Sequence, residues 1–413
     1  MRVAVIGGGM AGLSCALALS RRGADAVVFE AEAQPGGKVK SRSEDGWLSE
    51  DGPHFLSRPL DALLEATQLS AEVVRPSGPA TRFVHLRGRV LRAPSLRLLF
   101  SAGIPRALLE PLLARPPRED TSLREFLVAR FGRRAGSLAA TLLAAGVYAG
   151  DPAQLSAREA FPGLSRTRSI LLGALRRRGP GLWSLRRGLG TLAEATAAKL
   201  DLRLGAEVKK LAPAGREWDV YVDAKPERFE AAVLAVPSAA AAVLAGEFAP
   251  RLVAALRAFS SAPVTVVHLG FRENGLPRGF GMLDADGTLH GIGTLFPSSM
   301  LPGRAPEGHA LLTAICGGAQ HPERAALSDA GLVAAVCGDL QKTLGIRRDP
   351  NYLRIVRHPL AIPQYSPGHG ARVSAARELL RGLPPVELAG AAYDGVSVPD
   401  VVRSGTAAAE RLF

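Results

Sequence analysis

A chain of 413 residues is too long for one simple core, and at 47% hydrophobic residues it can bury a large one, so disorder is excluded as the starting assumption. The net charge of +13 suits an anionic membrane surface or an acidic substrate, while 5% aromatic residues and no interleaving of arginine with aromatics argue against nucleic acid. Only 7 of the 51 basic residues are lysine, a bias that a GC-rich genome also produces. The scattered cysteines, Cys15, Cys316 and Cys337, form neither a disulfide framework nor a zinc pattern and point to a reducing, cytoplasmic setting. No secretory signal is expected, and no stretch reaches the ~20 apolar residues of a membrane span.

The chain opens with an apolar strand from Arg2 to Ile6, a run of glycines, and helix-forming residues from Leu13 to Arg22. A second apolar strand, Ala26 to Phe29, ends at Glu30. Residues 36–55 are rich in glycine and polar side chains and read as an ordered loop or short hairpin. From about residue 86 to 190 helices dominate. Ser122-Leu-Arg-Glu125 is a capping box that opens a helix through Arg130, and Ala135 to Val147 is apolar and helical. Arginines at 133–134, 176–178 and 186–187 flank these helices, which suits a membrane interface and equally a solvated helical unit. Strands are expected at 202–204, 207–211, 218–222, 232–236, 263–271 and 309–316, with an amphipathic helix at 332–344. The stretch 231–248, interrupted by Pro237, Ser238, Gly246 and Glu247, reads as strand, turn and short helix. A closing strand, Val386 to Ala389, leads through Gly390 to a terminal helix. The opening strand–helix–strand and this closing strand and helix are expected to share one discontinuous domain.

Gly7-x-Gly9-x-x-Gly12 lies between a strand and a helix, the context in which this pattern binds a dinucleotide. The first glycine permits the tight turn, the second lets backbone approach a pyrophosphate, and the third lets helix and strand pack closely. The helix N-terminus offers its free N–H groups to the phosphate. Glu30 is placed to accept the ribose hydroxyls and to repel a 2′-phosphate. NAD and FAD share this fingerprint. Gly36-Gly37, beyond Glu30, resembles the extended glycine motif of the FAD-dependent amine oxidase and desaturase superfamily, with Gln34 where that superfamily usually has arginine.

Four further segments carry a closer resemblance. Gly146-Val-Tyr-Ala-Gly150-Asp-Pro, Gly293-Thr-Leu-Phe296, Ile362-Pro-Gln-Tyr365-Ser-Pro-Gly-His369 and Leu388-Ala-Gly-Ala-Ala-Tyr-Asp-Gly-Val together resemble the oxygen-dependent protoporphyrinogen oxidase family, over essentially the whole chain. The resemblance implies an α/β fold with three parts. These are a discontinuous Rossmann-like FAD-binding domain (1–58, 191–240 and 381–413), a mixed-sheet substrate domain (59–85 and 241–380) and a helical membrane-binding domain (86–190). It implies non-covalent FAD held by Gly7, Gly9, Ala11, Gly12, Glu30, Gly36, Gly37, Lys38, Gly52, Pro53, Val208, Gly390, Gly395, Val396 and Val398. The last helix would aim its N-terminus at the same cofactor. The implied reaction oxidises protoporphyrinogen IX to protoporphyrin IX in heme biosynthesis, in three two-electron steps, with O2 reduced to H2O2.

On the same resemblance, Arg82 would face a substrate propionate, for which its planar charged fork is apt. Leu283 and Leu295 would sandwich the tetrapyrrole, Ile315 stands where relatives carry Phe or Met, and Gly150 would leave room over the ring. No catalytic side chain and no metal are expected. The implied partners are a porphyrinogen, molecular oxygen and an anionic membrane surface, with a homodimer possible and a peripheral place at the cytoplasmic membrane.

Three other readings stay open. Coproporphyrinogen III oxidation to coproporphyrin III differs in the number of propionates to be neutralised, and the Arg176–Arg178 cluster could serve it. An amine oxidase or phytoene-type desaturase is disfavoured: amine oxidases of the superfamily typically carry a lysine near the flavin and an aromatic cage, whereas no lysine lies between Lys225 and Lys342 and only 5 tyrosines are present. A non-catalytic flavin or tetrapyrrole binder finds support in Gln34, Ile315 and Pro399, and His54 also departs from the Arg or Asn common in relatives.

Overall fold

The computed structural model describes residues 1–77, 81–95, 110, 120–176, 181–246, 248–272, 276 and 278–413. Five short apolar strands form a parallel sheet in the order Val386–Leu388, Ala231–Leu234, Arg2–Ile6, Asp25–Phe29, Asp201–Arg203. Four of the five residues of Arg2–Ile6 and all four of Ala231–Leu234 are buried, the continuous burial of strands covered on both faces. One face is covered by the first helix, Met10–Arg21, and the last, Val398–Arg411. These two helices meet through small residues, and a side chain at Gly405 would overlap the Ala11 carbonyl. The other face carries an antiparallel three-stranded sheet, Lys210–Ala214, Glu217–Tyr221 and Glu227–Phe229, whose Trp218 is fully buried. The sheet thus gathers segments from the start, middle and end of the chain.

The second layer is a seven-stranded mixed sheet. Its order is Tyr352–Pro363, Ser261–Arg272, His309–Gly317, Gly291–Leu295, Gly281–Asp284, Arg82–Leu86, Arg89–Ala93. Val267, Leu269, Phe271 and Met282 on one face pack with Leu332, Val336 and Leu340 of helix Asp329–Leu344. The other face carries Val264, Val266 and Ile315, with Ala149 packed against them from the end of helix Arg133–Tyr148.

The capping box forms as read: Ser122 Oγ accepts from Glu125 N–H, and Glu125 returns the bond to the Ser122 N–H. The helix it opens, Leu123–Phe131, crosses Arg133–Tyr148 so closely that a side chain at Gly136 would overlap the Leu127 carbonyl. The expected border between residues 85 and 86 cuts a hairpin, because Arg89–Ala93 pairs with Arg82–Leu86 and belongs to the large sheet. At the other end, Ser184–Leu185 pairs with Val73–Val74 and Trp183 bridges to Leu56, so residues 183–185 join the layer of the parallel sheet. The strand expected from 207 begins at Lys210. Arg177 and Arg178 lie outside the described residues. Among the described residues no helix is long and apolar enough to cross a membrane.

Candidate active site

The glycine loop is built by steric necessity. Gly7 has φ +109, and a Cβ there would lie 2.7 Å from the Ala235 carbonyl oxygen; one at Gly12 would overlap the Gly7 carbonyl. Gly9 begins the first helix without a side-chain cap, and a Cβ added to it would meet nothing within 4 Å. The N–H groups of the helix's first turn, Ala11 among them, are therefore open to an anion. Glu30 sits at the rim, its Oε2 accepting from Gly8 N–H at 2.7 Å and its Oε1 from Glu32 N–H at 2.8 Å. Ala206 N–H donates to the Glu30 carbonyl, which brings Val208 to this end of the loop.

A second glycine turn lies against the first. Gly36 forms a bridge with Gly9, and a Cβ at Gly37 would be 3.3 Å from the Gly9 Cα. Gly52 packs on the carbonyl of Lys38, so Gly52 and Pro53 join the same group, and Gly390 approaches Ala11 from the last strand. Glycine surfaces from three distant segments thus converge on one helix N-terminus with a carboxylate at its rim. This donor set fits FAD, which presents a pyrophosphate and ribose hydroxyls.

The C-terminal part differs from expectation in one respect. The last helix is capped internally by Ser397, and Asp400 in its first turn binds Arg58 at 2.7 Å and Arg403 at 2.6 Å. These contacts hold the Asp400 carboxyl below its usual range despite the opposing effect of burial. The positive end of that helix is thereby partly offset within the protein. Pro399 occupies the first turn, where a missing N–H costs no helical hydrogen bond. Gly395 lies against Asp400, Val396 packs with the helical cluster, and Val398 packs beneath the first helix.

The Ile362–His369 motif ties these parts together. Tyr365 Oη donates to the Ala391 carbonyl at 2.7 Å and accepts from Gly395 N–H at 2.6 Å. Its ring stacks on His369 at 3.7 Å. Gln364 donates to the Tyr148 carbonyl, fixing the end of helix Arg133–Tyr148. The space beside Gly150 is filled by Leu155 and Gln364, within 2.7 Å of an added Cβ, so its missing side chain makes room for the protein itself.

The large sheet arranges the expected substrate residues in rows. Arg82, Gly281, Leu295 and Thr313 are consecutive partners across four strands, and Val84, Leu283, Gly293 and Ile315 form the adjacent row on the same face. Arg82, Leu283, Leu295 and Ile315 therefore share one face, with glycine between them in each row. Arg82 is exposed, with its guanidinium 5.3 Å from the centre of the Phe280 ring. Phe280 in turn contacts Phe55 at 5.2 Å. Across this face lies His54, buried, with His268 6.0 Å away and no hydrogen-bond partner for its Nε2. Burial and the nearby Arg304 push the His54 imidazole down to about 3, so it is neutral.

Two features left no signal in the sequence. Glu50 and Arg304 form a fully buried pair 3.6 Å apart, with Glu50 also bonded to Ser41 and Leu189 N–H. Burial outweighs these partners and lifts the Glu50 carboxyl to about 7. The other is the reach of Lys38, a residue already expected at the cofactor: its Nζ crosses to the large sheet and donates to the Ala361 carbonyl at 2.7 Å. Burial lowers its ammonium to about 8.

Residues 10–413 match the family of flavin-containing amine oxidoreductases. The chain is 32% identical to protoporphyrinogen oxidase of Bos taurus, covering 100% of this chain and 98% of that protein. It is 29% identical to coproporphyrinogen III oxidase of Bacillus subtilis (strain 168), covering 98% and 96% respectively. A candidate protoporphyrinogen oxidase of Exiguobacterium sp. 255-15 shares the fold with a TM-score of 0.87 at 24% identity, covering 100% of this chain and 98% of that one.

Proposed function

The chain belongs to the flavin-containing amine oxidoreductase family, and we propose that it is an FAD-dependent oxidase converting protoporphyrinogen IX to protoporphyrin IX, with O2 as acceptor and H2O2 as product. The observation that carries this reading is end-to-end identity of 32% with a mammalian protoporphyrinogen oxidase. The shared face of Arg82, Leu283, Leu295 and Ile315 supports it, since an apolar tetrapyrrole with carboxylates at one edge needs both kinds of surface.

Gly7, Gly9, Ala11 and Gly12 would hold the pyrophosphate, Glu30 the ribose and Val208 the adenine end. Gly36, Gly37, Lys38, Gly52, Pro53, Gly390, Gly395, Val396 and Val398 would line the flavin end. FAD, when bound, supplies the two-electron acceptor for each of three oxidation steps. The protein's own part is orientation. Leu283, Leu295 and Ile315 hold the ring body against the sheet and exclude water, while Arg82 takes a propionate and fixes which edge points outward. The imidazoles of His54 and His268 are neutral and so place no charge of their own beside the apolar ring.

Peripheral attachment at the cytoplasmic membrane is part of the same reading. Its support is helix Ile170–Arg176, with Leu172 exposed and Arg166 and Arg168 just ahead of it. Coproporphyrinogen III remains the second reading, favoured by the full-length similarity to the Bacillus enzyme. Replacing Arg82 with Ala tests the placement. KM for protoporphyrinogen should rise about tenfold with kcat nearly intact, the loss of one charge-assisted contact of ~1.5 kcal/mol. Unchanged kinetics would remove Arg82 from the site.

A further inference from the structure

Lys38 is a half-buried cation that has no counter-ion among the described residues. Its Nζ has three donors, and its one partner among the described residues is the neutral Ala361 carbonyl. Among the described residues, the charged groups nearby are otherwise engaged. Glu32 is paired with Lys40, and Asp51 holds Arg354 through its carboxylate at 2.5 Å. His358, on the same strand as Ala361, bonds the Asp51 carbonyl at 2.8 Å and is kept neutral mainly by burial. A charge largely withdrawn from water is expensive unless a partner arrives, so this arrangement favours an anion beside Lys38.

The backbone position indicates which anion. Lys38 follows Gly37, which touches Gly9, and its carbonyl supports Gly52. Its side chain, however, leaves the glycine loops for the large sheet. Ala361 packs there with Val264, Val266 and Ala149 in the cluster that Ile315 joins. The ammonium therefore lies where the cofactor loops meet the proposed substrate face, the region through which electrons must pass.

We propose that Lys38 takes up a proton when the flavin is reduced, so that its ammonium balances the negative charge the cofactor gains. This rests on the FAD reading above. From the neutral amine, the step balances as oxidised flavin plus Lys38 amine plus two electrons and two protons. The products are singly protonated, anionic reduced flavin and Lys38 ammonium. The electrons come from the substrate, or from dithionite in a test. Because burial already brings Lys38 to about 8 in the protein without that charge, the second proton is taken up above this pH. Below it, Lys38 is charged in both redox states and only the flavin proton is counted.

The test is the pH dependence of the flavin midpoint potential, measured on the FAD-loaded protein by dithionite titration against reference dyes between about pH 7 and 10. The slope of the wild type should double above about pH 8, as two protons replace one per two electrons. Lys38→Met should keep the single-proton slope throughout. Lys38→Arg, charged at every pH, should also keep it, at a potential above that of Lys38→Met. If Lys38→Met loads no FAD, the contrast between wild type and Lys38→Arg still decides. Equal single-proton slopes in wild type and Lys38→Arg would overturn the proposal. So would a Lys38→Met protein with weakened FAD binding and the wild-type slope, the result expected if the ammonium serves the pyrophosphate. Failure of the purified wild type to retain or take up FAD would instead sink the cofactor reading on which the proposal rests.

Discussion

Single residues do most to join the two layers. Tyr365 is bonded at both sides of its hydroxyl to the loop after the last strand, which explains a motif whose spelling gives no hint of that task. Glu50 is the more consequential case. Its carboxyl is raised to about 7 in the folded protein, against an ordinary value near 4.5. Below about pH 4.5 the group is protonated in both states and folding loses nothing. As pH rises through about 7, the unfolded chain gives up its proton first, and stability falls by an amount on the order of 3 kcal/mol. Urea midpoints should therefore decline from about pH 5 to 7.5, and Glu50→Gln should lack that part of the slope. An identical pH profile in both proteins would show that Glu50 is not the group responsible. Gln is neutral at every pH, as protonated Glu50 is, so Glu50→Gln should gain on the wild type as pH rises, and the slope is the decisive reading rather than the absolute value.

At the scale of elements, legibility followed periodicity and caps. The opening strand–glycine–helix and the Ser122 capping box were readable because each depends on neighbours in sequence. Strand Tyr352–Pro363 was not, because Arg354, Arg357 and His358 interrupt its apolar pattern. Those residues bond to Asp51, Ala325, Leu327 and Asp329, contacts supplied only by the tertiary fold. The hairpin Arg82–Ala93 was divided at residue 85 because residues from 86 onward were read as helical, whereas the arginines of Arg89–Ala93 suit an edge strand facing solvent. The close packing of the first and last helices makes a sharp prediction. Gly405→Val places a branched side chain into the Ala11 backbone, beneath the glycine loop. The variant should purify without flavin or fail to fold, read from the visible absorbance per protein. Retention of wild-type flavin content would show that the two helices can separate without disturbing the loop.

For the whole molecule, the central feature is that two sheets of different design face each other across one set of loops. The parallel sheet supplies glycine turns and a free helix N-terminus; the mixed sheet supplies an apolar face edged by Arg82. The first was visible in the sequence from spacing alone. The second was visible only through resemblance, because its rows unite residues from four strands remote in the chain. The resemblance also placed Gly150 over the ring, where the protein instead uses the space for Leu155 and Gln364.

The most direct measurement is the appearance of porphyrin fluorescence in air from the purified protein, with protoporphyrinogen IX and coproporphyrinogen III supplied in parallel and an anaerobic control. The expected result is fast formation of protoporphyrin that stops without oxygen, with coproporphyrinogen the slower substrate. A protein that holds FAD but oxidises neither compound would contradict it, and preference for coproporphyrinogen would transfer the assignment to the second reading.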